Sequence, residues 1–320
     1  MDFEPLAEPS STPPLQARPA EGVLSKIFLN QKGLRGGWRL LVYAAFVAAL
    51  GAGGGIILQH FIHPTRGVFS FGYSFTFEVF SFLVVFGAAL IMSRIEGRAP
   101  DVYGLPLRGA FGKLFWQGCL IGLVEVSALI GLIAAFGGYS FGEIALHGGA
   151  LLRWGILWAV FFVFVGLFEE FLFRGYTQYT LADSIGFWPA AILLSLLFGS
   201  VHLENPGEGW VGAASVVMIG LVFAFALRRT GNLWLVVAWH ASFDFGETFL
   251  YSVPNSGMVF EGHLSNASLQ QGKVWLTGGT VGPEGSVFSF LTMGVLALAI
   301  HFLFPAKESK PAEIQGNQAT

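Results

Sequence analysis

The sequence is short of charge. Asp, Glu, Lys and Arg make up 12% of its 320 residues, about half of the roughly 25% found in soluble domains. A soluble enzyme of this length needs that charge to coat its surface, so a soluble enzyme is excluded. Positive charge is not in excess either. The net charge is −3, which leaves no basic field to hold nucleic acid. A single cysteine, Cys119, excludes an intrachain disulfide and any cysteine-rich zinc cluster. The chain has no His-Glu-x-x-His helix motif, so it is not a zincin.

What the chain has instead is apolar length. Hydrophobic residues reach 54%, phenylalanine alone occupies 33 positions, and the mean hydropathy is +0.64. A helix needs roughly 20 apolar residues to cross the hydrocarbon core. Eight stretches qualify: 40–59, 72–93, 114–136, 152–173, 187–203, 210–227, 233–253 and 286–304. Gly and Pro fall between them, as at Pro64, Pro206-Gly207, Gly231-Asn232 and Pro254-Asn255. The expected fold is all-α, a polytopic membrane helix bundle of about eight transmembrane helices. Residues 38–304 form the membrane domain, and residues 1–37 and 305–320 read as polar tails without a cleaved signal peptide. The Gly-rich stretch Gly51 to Gly55 suggests close helix packing.

Orientation follows from the basic residues in alternate loops. Fourteen of the 17 lie in the N-terminal tail, around 94–113, at Arg174, at Arg228 and Arg229, and in the C-terminal tail. Only Arg66, Arg153 and Lys273 lie on the other side. Both termini are therefore expected in the cytoplasm, and the 32-residue segment 254–285 becomes a flexible external loop.

Ionisable residues inside such spans cost about 2.5–3.5 kcal/mol each at the helix centre, so each needs a reason. They are Glu78, Glu125, Glu169, Glu170, His202, His240, Asp244, Glu247 and His301, and six of them lie between residues 169 and 247. Adjacent Glu169 and Glu170 point about 100° apart on a helix, so they do not share a role. Glu170 and Arg174 stand at i, i+4 with the acid first, the favoured order for an ion pair. Glu169 is left without a local cation. It is either a free carboxylate facing a wet cavity or part of a helix end reaching to headgroups. His240, Asp244 and Glu247 line one helical face at i, i+4, i+7. If helix four continues through 174–186 and turns near Ile185, an antiparallel hairpin brings Glu169 and His202 to matching depth. Imidazoles and carboxylates together suit zinc, and equally a general base with an oxyanion site.

These groups, Glu169-Glu170-x-x-x-Arg174, Phe198-x-x-x-His202 and His240-x-x-x-Asp244, resemble the CPBP superfamily of intramembrane proteases. That superfamily includes the type II CAAX-processing endopeptidases and the Abi (bacteriocin self-immunity) proteins. The resemblance covers roughly residues 150–253, and the third motif uses Asp where the family has Asn or Asp. It implies an intramembrane endopeptidase in which Glu169 activates the water that attacks a peptide carbonyl. His202, His240 and Asp244 then complete the site, with Glu170, Arg174 and Phe198 as structural support. The cofactor is either Zn, held by His202 and His240 with Glu169 or Asp244, or none, in a metal-free glutamate mechanism. The implied partners are membrane lipid and a peptide or protein substrate, lipidated or membrane-embedded, such as a prenylated tail, a bacteriocin-like peptide or a membrane-protein segment.

Two other readings use the same residues. A proton- or cation-coupled transporter also places carboxylates and histidines inside the bilayer, and it accounts for Glu78 and Glu125 equally well. It calls for inverted repeats with paired broken helices, which the sequence does not display. A non-catalytic membrane scaffold of the same fold is the third reading. Glu78 and Glu125 are expected to be interhelical hydrogen bonders or cavity lining.

Overall fold

A computed structural model describes residues 29–30, 33–62 and 70–305 of the chain. Most of the two polar tails, together with His63 and Arg66, lies outside the described residues. Each expected span coincides with a helix. α1 covers Gly36–Leu58, α2 Phe71–Glu96, α3 Lys113–Ala135 and α4 Gly148–Arg174. α5 (Tyr176–Ile185) follows directly, then α6 (Phe187–His202), α7 (Trp210–Thr230) and α8 (Trp234–Phe245). A π-helical turn, Gly246–Leu250, extends α8. Short α9 (Val274–Thr277) precedes α10 (Val287–Leu303). Among the described residues the strands are two-residue pairs, Leu29–Asn30 with Gly33–Leu34 and Tyr139–Ser140 with Ser268–Leu269.

Among the described residues five helical rods are long and apolar enough to cross a membrane: α1, α2, α3, α7 and the continuous α4–α5 rod, Gly148–Ile185. The protein is an all-α integral membrane bundle. α6 and α10 are apolar but only 16 and 17 residues long. That is about 25 Å of rise against a hydrocarbon core of about 30 Å. Both short helices border the cavity described below.

α8 is the centre of the bundle. Residues 234–239, 241, 242 and 244 of its 12 are buried, although an isolated apolar helix of that length has little stability of its own. Enclosure by α3 and α4 holds it. A Cβ at Gly118 of α3 would collide with the Leu235 carbonyl oxygen, and one at Gly122 with that of Trp239. This Gly-x-x-x-Gly pair lets two helix backbones touch. Gly166 of α4 approaches α8 from another side, where a Cβ would lie 2.7 Å from the Val237 carbonyl oxygen. The stretch Gly51 to Gly55 does not play this part. Gly51, Gly53 and Gly55 face open space, and only Gly54 meets a neighbour, the ring of Phe80.

The basic end of the bundle is tied by an ion-pair network. Arg39 of α1 reaches Glu96 of α2 at 2.6 Å and Asp183 of α5 at 3.1 Å. Arg98 joins Glu96 at 3.2 Å, and the Tyr176 hydroxyl donates to the same carboxylate. This network fixes α5 beyond the break at Gly175, so the rod continues past Arg174 before Gly186, at φ 90°, turns the chain into α6.

The segment 254–285 is not slack. Gly257, Gly278 and Gly282 all have positive φ, and a Cβ at each would strike backbone of Pro206, Gly282 and Pro254 respectively. Backbone bonds from Gly257 to Val281 and from Leu264 to Phe249 fasten it to itself and to the end of α8. At these three positions glycine serves close packing. The segment is a folded cover.

Candidate active site

The last two turns of α4 carry the acidic pair. Glu170 and Arg174 are fully buried, and the Arg174 Nη1 group donates to both Glu170 oxygens at 3.2 Å. The guanidinium lies 4.5 Å from the Phe198 ring of α6, with Phe223 of α7 on another side at 5.8 Å. Desolvation of such a cation is costly, and the carboxylate with the aromatic faces offsets it. Phe198 also packs on Phe173 at 4.9 Å. Because α4 and α6 run antiparallel, one turn back along α4 from Phe173 leads to Glu169 and one turn on along α6 from Phe198 leads to His202.

Glu170 does more than pair with Arg174. Its Oε1 also accepts from His240 Nδ1 of α8 at 2.9 Å. A carboxylate on Nδ1 fixes the ring and turns Nε2 inward, where it lies 3.4 Å from Asp244 Oδ2 and 3.8 Å from Glu169 Oε2. Glu169 itself is three-quarters buried, with its side chain 25% exposed, and its Oε2 receives no hydrogen bond. Glu78 of α2 stands near Glu169.

His202 ends α6. Its Nδ1 lies 2.8 Å from the Phe198 carbonyl oxygen. A carbonyl only accepts, so Nδ1 carries the proton and Nε2 is left for the cavity. His202, His240 and Asp244 line one cavity of about 80 Å³, walled also by Glu125, Phe223 and Glu284. Four of the residues singled out from the sequence are thus brought together: His202, His240 and Asp244 on the cavity, and Glu169 behind His240. Glu170, Arg174 and Phe198 form the layer beneath them. Glu125 is a hydrogen bonder and cavity lining at once, since it accepts from the Trp239 indole. His60, His263 and His301 bond locally or to Arg229 and lie away from this cavity.

Glu247 follows in the π turn, wholly buried, facing Glu284 and Asp244. Sequence reasoning missed Glu284 and Ser256, which come from the cover and line the cavity. No spacing relates them to the motifs on α4, α6 and α8. Glu208, in the loop after α6, lies near His202 and Glu284, and burial pushes its carboxyl above the ordinary value.

Among the described residues no three His, Cys, Asp or Glu side chains stand as a ligand group. Among the described residues His202 also makes no contact within ion-pair distance of Glu169 or Asp244. The residues as placed do not form the zinc site that the resemblance offered as one alternative.

No curated protein matches the chain. The family described as Type II CAAX prenyl endopeptidase Rce1-like matches residues 151–246, just under a third of the chain. That stretch begins in α4 and ends at the first residue of the π turn, and it contains all three motifs and none of the cover. Over residues 151–246 the chain is therefore similar to the CAAX protease family, in keeping with the CPBP superfamily resemblance of its motifs.

Proposed function

We propose that the chain is a CAAX-type intramembrane endopeptidase whose general base is Glu169. The observation that carries this reading is the free Glu169 carboxylate oxygen, 3.8 Å from His240 Nε2, beside a cavity shared by His202, His240 and Asp244. Glu169 takes a proton from water, and the water oxygen attacks the scissile carbonyl carbon. The tetrahedral intermediate collapses as the C–N bond breaks, and Glu169 returns the proton to the leaving nitrogen. Negative charge develops on the carbonyl oxygen. Both histidines have Nδ1 committed, so each faces the cavity through Nε2, and a protonated Nε2 donates to that oxygen. Asp244 at 3.4 Å orients His240 from one side and Glu170 from the other.

No step in this mechanism runs through a metal. The test is cleavage by the purified full chain in detergent, offered a prenylated tail peptide and its unprenylated counterpart, before and after exhaustive dialysis against a chelator. Undiminished turnover after dialysis is expected. Loss of turnover that zinc restores would overturn the metal-free mechanism, and no cleavage of any peptide would overturn the peptidase reading.

Both termini lie in the cytoplasm in this reading, carried by the Lys and Arg asymmetry between alternate loops. The cover then lies on the outer side. Reporter fusions after the C-terminal tail and within 254–285 should report opposite sides, and the same side for both would reverse it.

A further inference from the structure

A second cavity, of about 410 Å³, opens at the basic end of the bundle and shares no lining residue with the candidate site. Volumes of that order hold small molecules. Its wall carries polar atoms that the fold leaves unmet. Gln178 of α5 is 2% exposed, and neither its amide nitrogen nor its amide oxygen has a hydrogen-bond partner. Tyr103, in the turn Pro100–Tyr103 after α2, is buried with an unpartnered hydroxyl. Burial pushes that hydroxyl up to about 12, so it keeps its proton and donates. Arg174 lines the cavity too, and its Nη2 has no hydrogen-bond partner although Nη1 holds Glu170. The exposed Arg228 of α7 adds a second guanidinium, stacked 4.8 Å from the Phe187 ring. Among the described residues Arg228 makes no ion pair. Asp183 is the one carboxylate on the wall, and Arg39 neutralises it at 3.1 Å. Unmet polar atoms are costly when buried, so three such side chains on one wall call for a partner that the chain does not supply.

We propose that this cavity binds a phosphate group, carried by an anionic phospholipid of the adjoining leaflet or by a soluble phosphate ester. The unmet groups are mainly donors: the Gln178 amide N–H, the Tyr103 O–H and the Arg174 Nη2 N–H. Together with the Arg228 guanidinium they suit a charged ligand rich in acceptors, and phosphate has oxygens for several separate donors. The Gln178 oxygen is the exception, and the hydroxyl of a glycerol ester meets it. Exposed Trp188, 5.9 Å from the Arg228 guanidinium, marks the headgroup level. A lipid is therefore the nearer source, and basic pockets between spanning helices hold such headgroups. The site stands apart from peptide cleavage, and its test involves none.

The test is binding to the full-length chain, purified in a nonionic detergent. The probes are dioctanoyl phosphatidylglycerol, dioctanoyl phosphatidylcholine and glycerol 3-phosphate. Binding is read by native mass spectrometry and by the rise in melting temperature. Phosphatidylglycerol should bind roughly tenfold or more tighter than phosphatidylcholine, whose own cation opposes Arg228, on the scale of one hydrogen bond to a charged group. Gln178→Leu and Arg228→Gln should each weaken phosphatidylglycerol binding by about the same factor. Both variants should fold, because leucine leaves no unmet amide behind and Arg228 is exposed. Arg153→Gln, at an exposed cation in the first turns of α4, should bind as the unmodified chain does. Displacement of the lipid by equimolar glycerol 3-phosphate assigns the site to a soluble ester, and failure to displace it assigns the site to the lipid. Either result upholds a phosphate site. Equal binding of the two lipids without binding of glycerol 3-phosphate, or no binding of any probe, would overturn it. A preference that survives either substitution would also overturn it, as diffuse attraction to a basic surface.

Discussion

Substituting Glu169 by glutamine should slow peptide cleavage by roughly 10²–10⁴-fold, the range that a positioned general base contributes, and leave the detergent melting temperature unchanged. The reason is what Glu169 lacks. Its side chain is 25% exposed, and its Oε2 accepts no hydrogen bond. It lies 3.8 Å from His240 Nε2, beyond hydrogen-bond length. Glutamine keeps the volume and strands no buried partner, but it does not take a proton from water near neutral pH. Cleavage and thermal unfolding measured on the same preparation check both halves. Wild-type turnover in Glu169→Gln would remove the base from the mechanism. A large drop in melting temperature would mean that the carboxylate holds the bundle together.

Glu170→Gln should behave in the opposite way. Its carboxylate is fully buried between Arg174 Nη1 at 3.2 Å and His240 Nδ1 at 2.9 Å. Removing the negative charge leaves a guanidinium with 1% side-chain exposure facing only aromatic rings and a neutral amide. Breaking a buried pair from one side costs about 3–5 kcal/mol, because the remaining charge stays desolvated. The expected result is a strongly lowered melting temperature together with lost activity, since His240 loses its charged anchor. A second variant separates the two effects. Glu170→Gln with Arg174→Met removes both charges and keeps an apolar stem against Phe198, so stability should largely return while activity does not. If Glu170→Gln is as stable as the wild type, or if the double variant recovers turnover, the division between a free base and a buried anchor is wrong.

That division was partly legible in one dimension. Glu170 and Arg174, and likewise His240 and Asp244, are four apart on single helices, and helical geometry alone brings such side chains together. The helix that holds each motif was equally legible, because hydropathy over a span reports directly on the solvent it meets. The match of Glu169 to His202 needed one added assumption, a rod running past Arg174, and Gly175 and Gly186 shape that rod in the structure. The bond between Glu170 and His240 joins residues 70 apart, and no periodicity encodes it. Glu170 consequently read as a partner of Arg174 alone. The packing glycines show the same limit from another direction. Gly118 and Gly122 have the spacing of a helix contact, but the run from Gly51 to Gly55 is more conspicuous and faces largely open space.

The sequence by itself determined the solvent, the helical class and the spacing of the motifs that carry the family resemblance, because each depends on composition or on spacing within one helix. Tertiary structure alone decided the rest. It set α8 at the centre through backbone contacts with α3 and α4, and it gave Glu170 two partners. It also turned the segment after α8 from a loop into a cover that brings Glu284 to the cavity. Those outcomes depend on which faces of separate helices meet. A glycine pattern permits such a meeting, but the partner is chosen by the shape and charge of the whole bundle.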